Sequence, residues 1–308
     1  MKLHEFWRYE YNQDRYLSHL SNADLSGRVR YLMENLTTLE LNGKIGLKNI
    51  QNEPARTLMR KFTHAHQERK FTHAHQELVL RNREPEPMFL KGASIPDAML
   101  GYEDRLKELN EYAIRKKPHL IKFGKKEHFA KFSFKVSLAS SFADPSLNTA
   151  QMDDEMRAIY HPYPGDIKIT TQDGRKLESV TGIELIYEAS ADYYIFCSST
   201  SFDVRLFGDF KADSCLFIYD SKMFSEQLFE KVSMEISIAD HGYRPVAYVD
   251  PIRPDKGEPP PVEFHKHMKY VYQNEFRHVF IPKNNHNNPK DLFLSLPEST
   301  EYTEIVSL

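Results

Sequence analysis

The chain has 308 residues, 40% of them hydrophobic, with a mean hydropathy of -0.59 and a formal net charge of -3. The apolar share supports one large core or two smaller ones, and the near-balanced charge gives no global case for nucleic-acid or membrane binding. Cys197 and Cys215 are too few for a disulfide framework, no apolar leader opens the chain and no run of about 18 apolar residues occurs, so a cytoplasmic protein without a membrane span is expected.

Residues 1–117 read as a mostly helical N-terminal region rich in Leu, Arg, Glu and Lys. Leu32, Leu36, Leu39 and Leu41 cluster ahead of an Asn42-Gly43 turn. Arg60–Glu68 and Arg69–Glu77 then repeat the nonapeptide RKFTHAHQE in tandem. A metal site is the tempting reading of its histidines, and helix geometry argues against it. His64 and His66, two apart, point in nearly opposite directions, while His66 and His73 share a face but sit roughly 10 Å apart along the axis. Nine residues make about two and a half turns, so the copies should face opposite sides of a helix. The expectation is a duplication carried on an exposed helix, with no metal. Leu106, Leu109 and Ile114 then mark an amphipathic helix over Glu103–Ile114.

From residue 118 the pattern changes to strands, which places a domain boundary near 117 and a second domain over 118–308. Phe132, Phe134, Val136 and Leu138 alternate with polar residues at the period of a half-buried strand. Short strands are predicted at Ile167–Thr171, Ile183–Tyr187, Tyr193–Cys197, Ser214–Tyr219 and Pro245–Val249. A helix is predicted over Lys222–Glu230, and residues 250–263 are too proline-rich for regular structure. Between Arg115 and Lys135, lysines interleave with Phe123, Phe129, Phe132 and Phe134. Single-stranded nucleic acid could use that pattern, but strands with phenylalanines inward and lysines outward explain it better.

Three polar elements carry the functional argument. In Met268–Pro282, read as one strand, Tyr270, Tyr272, Phe276 and Phe280 take the core side, and Gln273 and Glu275 project together from the other. A rigid carboxylate beside a neutral amide suits stabilising a developing cation while orienting a nucleophile. Ser198-Ser199-Thr200-Ser201 follows an apolar strand, and Lys122 stands on a short strand ending at Gly124.

In this order the elements resemble the basic residue, Ser-Thr-Ser and Gln/Glu-x-Glu motifs of the ADP-ribosyltransferase superfamily over roughly residues 118–282. Phe123–His128, Ala143–Asn148 and Asp153-Asp154-Glu155 also look like a bacterial family of unknown function near the phage-defence toxins. The superfamily usually has Arg or His at the first position, where this chain offers Lys122, with His119 and His128 as alternatives. The resemblance implies an α+β fold in which the helical region precedes a split mixed/antiparallel sheet. It implies NAD as substrate and a toxin or effector acting on a protein or nucleic-acid acceptor, with an antitoxin or regulatory protein as a possible partner. Glu275 would stabilise an oxocarbenium-like state, and Gln273 would position the acceptor. Ser198, Ser199, Thr200, Ser201 and Lys122 would hold the ribose, a phosphate or Glu275. As an exposed cleft carboxylate, Glu275 should tolerate replacement by Gln without loss of folding.

Two alternatives stand beside this. Asp153, Asp154 and Glu155 could be metal carboxylates of a nuclease or hydrolase, although acidic residues opening a helix after Asn148-Thr149 explain them more simply. The chain could also be a non-enzymatic binding protein whose N-terminal helical region recognises a partner. His265 and His267 could serve as acid/base or metal groups, but ordinary solvated or core histidines explain them better, since nothing nearby supplies a third ligand.

Overall fold

The computed structural model describes residues 1–39, 45–47, 57–83, 101–147, 150, 152–177, 182–253, 259–283 and 289–308. Leu41 and the Asn42-Gly43 turn, Asn148-Thr149 and residues 254–258 of the proline-rich loop lie outside them. The fold is α+β, with a helical N-terminal region and a mainly antiparallel sheet. It divides into two units: Met1–Ile95 with Tyr160–Leu185 and Asp250–Pro254, and Pro96–Ile159 with Ile186–Val249 and Asp255–Leu308. No helix among the described residues is long and apolar enough to cross a membrane.

In the first unit, helices α1 (Leu3–Gln13), α2 (Asn22–Leu36) and α3 (Thr57–Leu80) pack together. Ser21 caps α2, its hydroxyl accepting from the Asp24 N–H at 3.1 Å, and Leu25, Val29, Leu32 and Leu36 form the buried stripe. The nonapeptide repeat lies in α3, and its copies do face opposite sides. Ala65 is exposed where its counterpart Ala74 is 0% exposed, and Glu68 is half-buried where Glu77 is 0% exposed. The second copy is therefore not on an exposed face, because half a turn carries Lys70, His73, Ala74 and Glu77 into the interior. There Glu77 accepts from Tyr11 at 2.6 Å, Arg15 at 2.9 Å and Arg81 at 2.8 Å. Asp250, far along the chain, receives both arms of Arg28 at 2.9 and 2.6 Å together with the Lys70 ammonium. Burial opposes that carboxylate's charge, and the two cations overcome it and hold its pKa far below the usual range.

The second unit is built on an eight-stranded sheet: β1 (Leu120–Gly124), β2 (Ser133–Leu138), β3 (Tyr194–Ser199), β4 (Ser214–Ile218), β5 (Ile238–Pro245), β6 (Glu275–Pro282), β7 (Leu292–Ser295) and β8 (Thr303–Ser307). The order is β5-β6-β3-β1-β4-β8, with antiparallel neighbours throughout. The sheet forks along β3. Its Ser199 end pairs with β1 through Ile121, while Ile195 and Tyr194 pair with Ser137 and Leu138 of β2, which carries β7 on its far side. A separate two-stranded ribbon, Ala247–Val249 with His265–His267, pairs in parallel.

Helix α5 (Ser221–Glu235) covers one face. Asp220 caps it, and Phe224, Leu228 and Val232 pack on Phe134, Phe196, Leu216 and Phe280. Ile195 and Val279 bury against Tyr193 and Ala139 on the opposite face. Helix α4 (Glu103–Lys116) belongs to this unit, so the partition differs from a boundary at 117. Tyr112 stacks on Phe217 and donates to Glu304 at 2.6 Å, which fastens the helix to the sheet. The phenylalanines of the basic stretch do turn inward, at 123, 129 and 134, while Lys125, Lys126, Lys131 and Lys135 face solvent.

A buried ring of ion pairs beside the Ser-Thr-Ser strand

Glu275 opens β6 and pairs directly with Ser199, the last residue of β3. The two side chains therefore share a sheet face, while Ser199 Oγ donates to the Ser201 and Gln273 carbonyls. Met268–Gln273, however, is a 3₁₀ turn and not the first half of a strand, and Asn274 at φ 45° reverses the chain before β6 begins. The left-handed conformation explains the break: Asn tolerates it, and a continuing strand does not contain it. Tyr270 and Tyr272 still bury, but from a turn. Gln273 consequently does not stand beside Glu275 on one strand. Its amide donates to the Ala150 carbonyl at 2.9 Å, and its own carbonyl accepts from Ser199 Oγ at 2.7 Å.

Lys122 goes to the other face. Its ammonium lies 4.8 Å from the centre of the Phe196 ring and donates to the Cys197 carbonyl at 2.7 Å, in the gap between the two branches of the fork. Burial pulls its pKa down. Ser198 shares that face and contacts the Phe276 carbonyl, while Thr200 donates to the Asn274 carbonyl at 3.1 Å and Ser201 accepts Ser199 Oγ on its carbonyl. The structure thus brings Ser199, Gln273 and Glu275 together and leaves Lys122 across the sheet.

Two other cations share the Glu275 face. Arg277, two residues along β6, reaches one carboxylate oxygen at 2.8 Å, and Lys266 reaches the other at 2.5 Å. Glu155 meets the same pair, Lys266 at 3.2 Å and Arg277 at 2.8 Å, which closes a ring of two acids and two bases. Glu275 is only 5% exposed. The expectation of an exposed cleft carboxylate is therefore corrected, and with it the expectation that an amide at 275 leaves folding untouched. Burial alone would raise the Glu275 carboxyl, but Arg277 and Lys266 overcome it and hold the group well below the ordinary carboxylate range.

Surrounding groups fix the ring. Tyr193 donates to the Glu155 carbonyl at 2.6 Å, Arg277 donates to the Glu263 carbonyl at 2.8 Å, and Tyr248 Oη accepts the Glu275 N–H at 2.7 Å. Asp153 stands outside the ring, pushed up to about 6 by burial and then by Glu155. Burial and the neighbouring Glu275 charge push the Cys197 thiol up to about 12, which leaves it an unreactive core group.

Asp153-Asp154-Glu155 does not begin a helix. It turns into the strand Arg157–Tyr160, whose alternate residues Ala158 and Tyr160 bury. For the nuclease alternative, both Glu155 oxygens face cations, and among the described residues no three His, Cys, Asp or Glu side chains converge on a point where an ion could sit. Burial pulls His265 down to about 4, and His267 accepts from the Lys269 N–H at 2.9 Å.

Sequence reasoning missed Lys266 and the use of Glu155. Arg277, two residues past Glu275 on the same strand face, gives no sign in the sequence that it is fully buried. A lysine between two histidines carries no periodic signal, and only the ribbon pairing of His265–His267 turns it inward. No protein-family model matches the sequence, and comparison with curated proteins and with solved structures returns no match.

Proposed function

We propose that the second unit is an NAD-dependent ADP-ribosyltransferase, acting as a toxin or effector on a protein or nucleic-acid acceptor, with Glu275 as its essential carboxylate. The observation that carries this reading is the pairing of Glu275 with Ser199 on adjacent strands, which sets the hydroxyl run and the carboxylate on neighbouring positions of a rigid sheet. Its ionised state at neutral pH supports it further, since a developing oxocarbenium ion is stabilised by a full negative charge. Lys266 and Arg277, the cations on this face, are buried and paired with Glu275 and Glu155, so their part in this reading is to hold the carboxylate ionised and in place. Because both oxygens of Glu275 contact these cations, productive binding exchanges at least one contact for the ribose 2′-hydroxyl. Gln273 is engaged with backbone, so selection of the acceptor falls to other groups.

The test is incubation of the full chain with labelled NAD and separate pools of protein, RNA and DNA. Transfer of label to one pool, abolished by Glu275→Gln and by the charge-conserving Glu275→Asp, is the expected result. A correctly folded chain that neither labels any pool nor hydrolyses NAD ends the proposal.

The closed ring favours a second reading, in which Glu275 is a structural residue of a binding protein. NAD at 100 times its dissociation constant should stabilise the enzyme by about 2.7 kcal/mol, and no rise in Tm at millimolar NAD selects the second reading.

A further inference from the structure

Strand β5 ends the sheet, and no strand among the described residues pairs with its outer edge. Most of its side chains are exposed on both faces. Its direction of bonding is fixed at one end, where the Val246 N–H donates to the Glu275 carbonyl. Hydrogen bonds alternate along an antiparallel strand, so residues 242 and 244 bond inward to β6 and residues 241 and 243 aim N–H and C=O outward. The outward His241 N–H is capped by its neighbour, the Asp240 carboxylate, at 2.8 Å.

Such an edge is open to strand addition unless its side chains oppose it. Here they are self-complementary. An antiparallel copy of the segment centred on Gly242 places Asp240 of each chain opposite Arg244 of the other, twice by symmetry. It also pairs His241 with Tyr243, whose outward amides match as a hydrogen-bonded pair. Gly242 then meets Gly242 on the axis, where the absence of a side chain admits close approach. On this edge Asp240 exchanges its cap on the His241 N–H for the partner's guanidinium, and the N–H passes to the partner's Tyr243 carbonyl. The Arg244 guanidinium lies over the Phe264 ring, 4.2 Å from its centre, a cation–π contact that does not use its N–H groups on a carboxylate.

We infer that the partner of this edge is a second copy of the chain, joined as a two-fold dimer through β5 about Gly242. The inference is independent of the enzymatic reading.

Sedimentation velocity of the full chain between about 1 and 100 μM, the range in which a dimer of modest interface assembles, tests it. The expected result is a concentration-dependent species of twice 36.1 kDa. Asp240→Arg and Arg244→Asp each place like charges opposite one another and should each raise the dissociation constant at least about tenfold. The double exchange restores the pairing and should return the constant to within about threefold of the parent. Both positions are exposed, so circular dichroism should show the variants folded. A chain that stays at 36.1 kDa throughout, single reversals that leave the mass unchanged, or a double exchange that fails to regain the dimer overturns the inference.

Discussion

Replacing Glu275 by Gln keeps the shape of the side chain and removes its charge. In the ring this leaves Lys266 and Arg277 facing Glu155 alone, a buried excess of one positive charge. Removing one partner of a buried pair costs about 3–5 kcal/mol. Urea unfolding followed by far-UV circular dichroism at pH 7 should therefore show the midpoint of the variant lowered by about 1 M or more. The pH dependence has a definite sign. The folded pKa lies below the unfolded one, so the contribution of Glu275 is complete above pH 4.5 and fades as pH falls toward 2. Parent and variant should converge in acid. Equal midpoints at pH 7, or a gap that stays constant on acidification, would refute the claim that the ring stabilises this fold.

Asp153→Asn should act in the opposite direction. Its folded pKa of about 6 lies above the unfolded 3.8, so the charge is a burden at neutral pH. The amide should stabilise the fold at pH 7 and progressively less as pH drops from 6 to 3.8, read as a Tm difference across that window. Asp250→Asn strands Arg28 and Lys70 in the helical unit and should cost about 3–5 kcal/mol. Trp7, the single tryptophan and a residue of α1, reports that loss by fluorescence-monitored unfolding. His278 meets Ser225 Oγ at 2.7 Å and is pulled down by burial to about 3, so stability falls as pH drops from 6.5 toward 3. His278→Gln should flatten the stability slope within that interval, and an unchanged slope would show that another group sets it.

The α+β class was legible because its cause is local. Phe134, Val136 and Leu138 bury one after another in β2. The helix over Lys222–Glu230 was legible and Leu228 is in its core, but Met223, read with it and Phe229 as a core residue, is exposed, and Phe224 and Val232 bury instead. The Ile238–Pro245 segment has no apolar alternation because an edge strand exposed on both faces needs none, and it was not anticipated. In the candidate site, Ser199 and Glu275 were legible as members of separate motifs. The turn before Glu275 was not, since the alternating tyrosines at 270 and 272 imitate a strand and only Asn274 marks the reversal. Parity decides the fate of Lys122: its neighbour Ile121 sits opposite Ser199, so Lys122 itself must emerge on the far side, and that follows from register, which no single strand reveals.

The tandem nonapeptide of α3 bears on how this chain can vary in length. One unit advances a helix by about 13.5 Å and turns it half-way round, whereas two units complete about five whole turns. Loss or gain of a single unit therefore rotates the groups that precede it away from those that follow, and separates Lys70 from the position that reaches Asp250. Changes by pairs restore the azimuth and alter only the reach. Relatives of this chain, where they differ here, should differ by eighteen residues more readily than by nine, and the parity of the copy number is a character that natural variation can display.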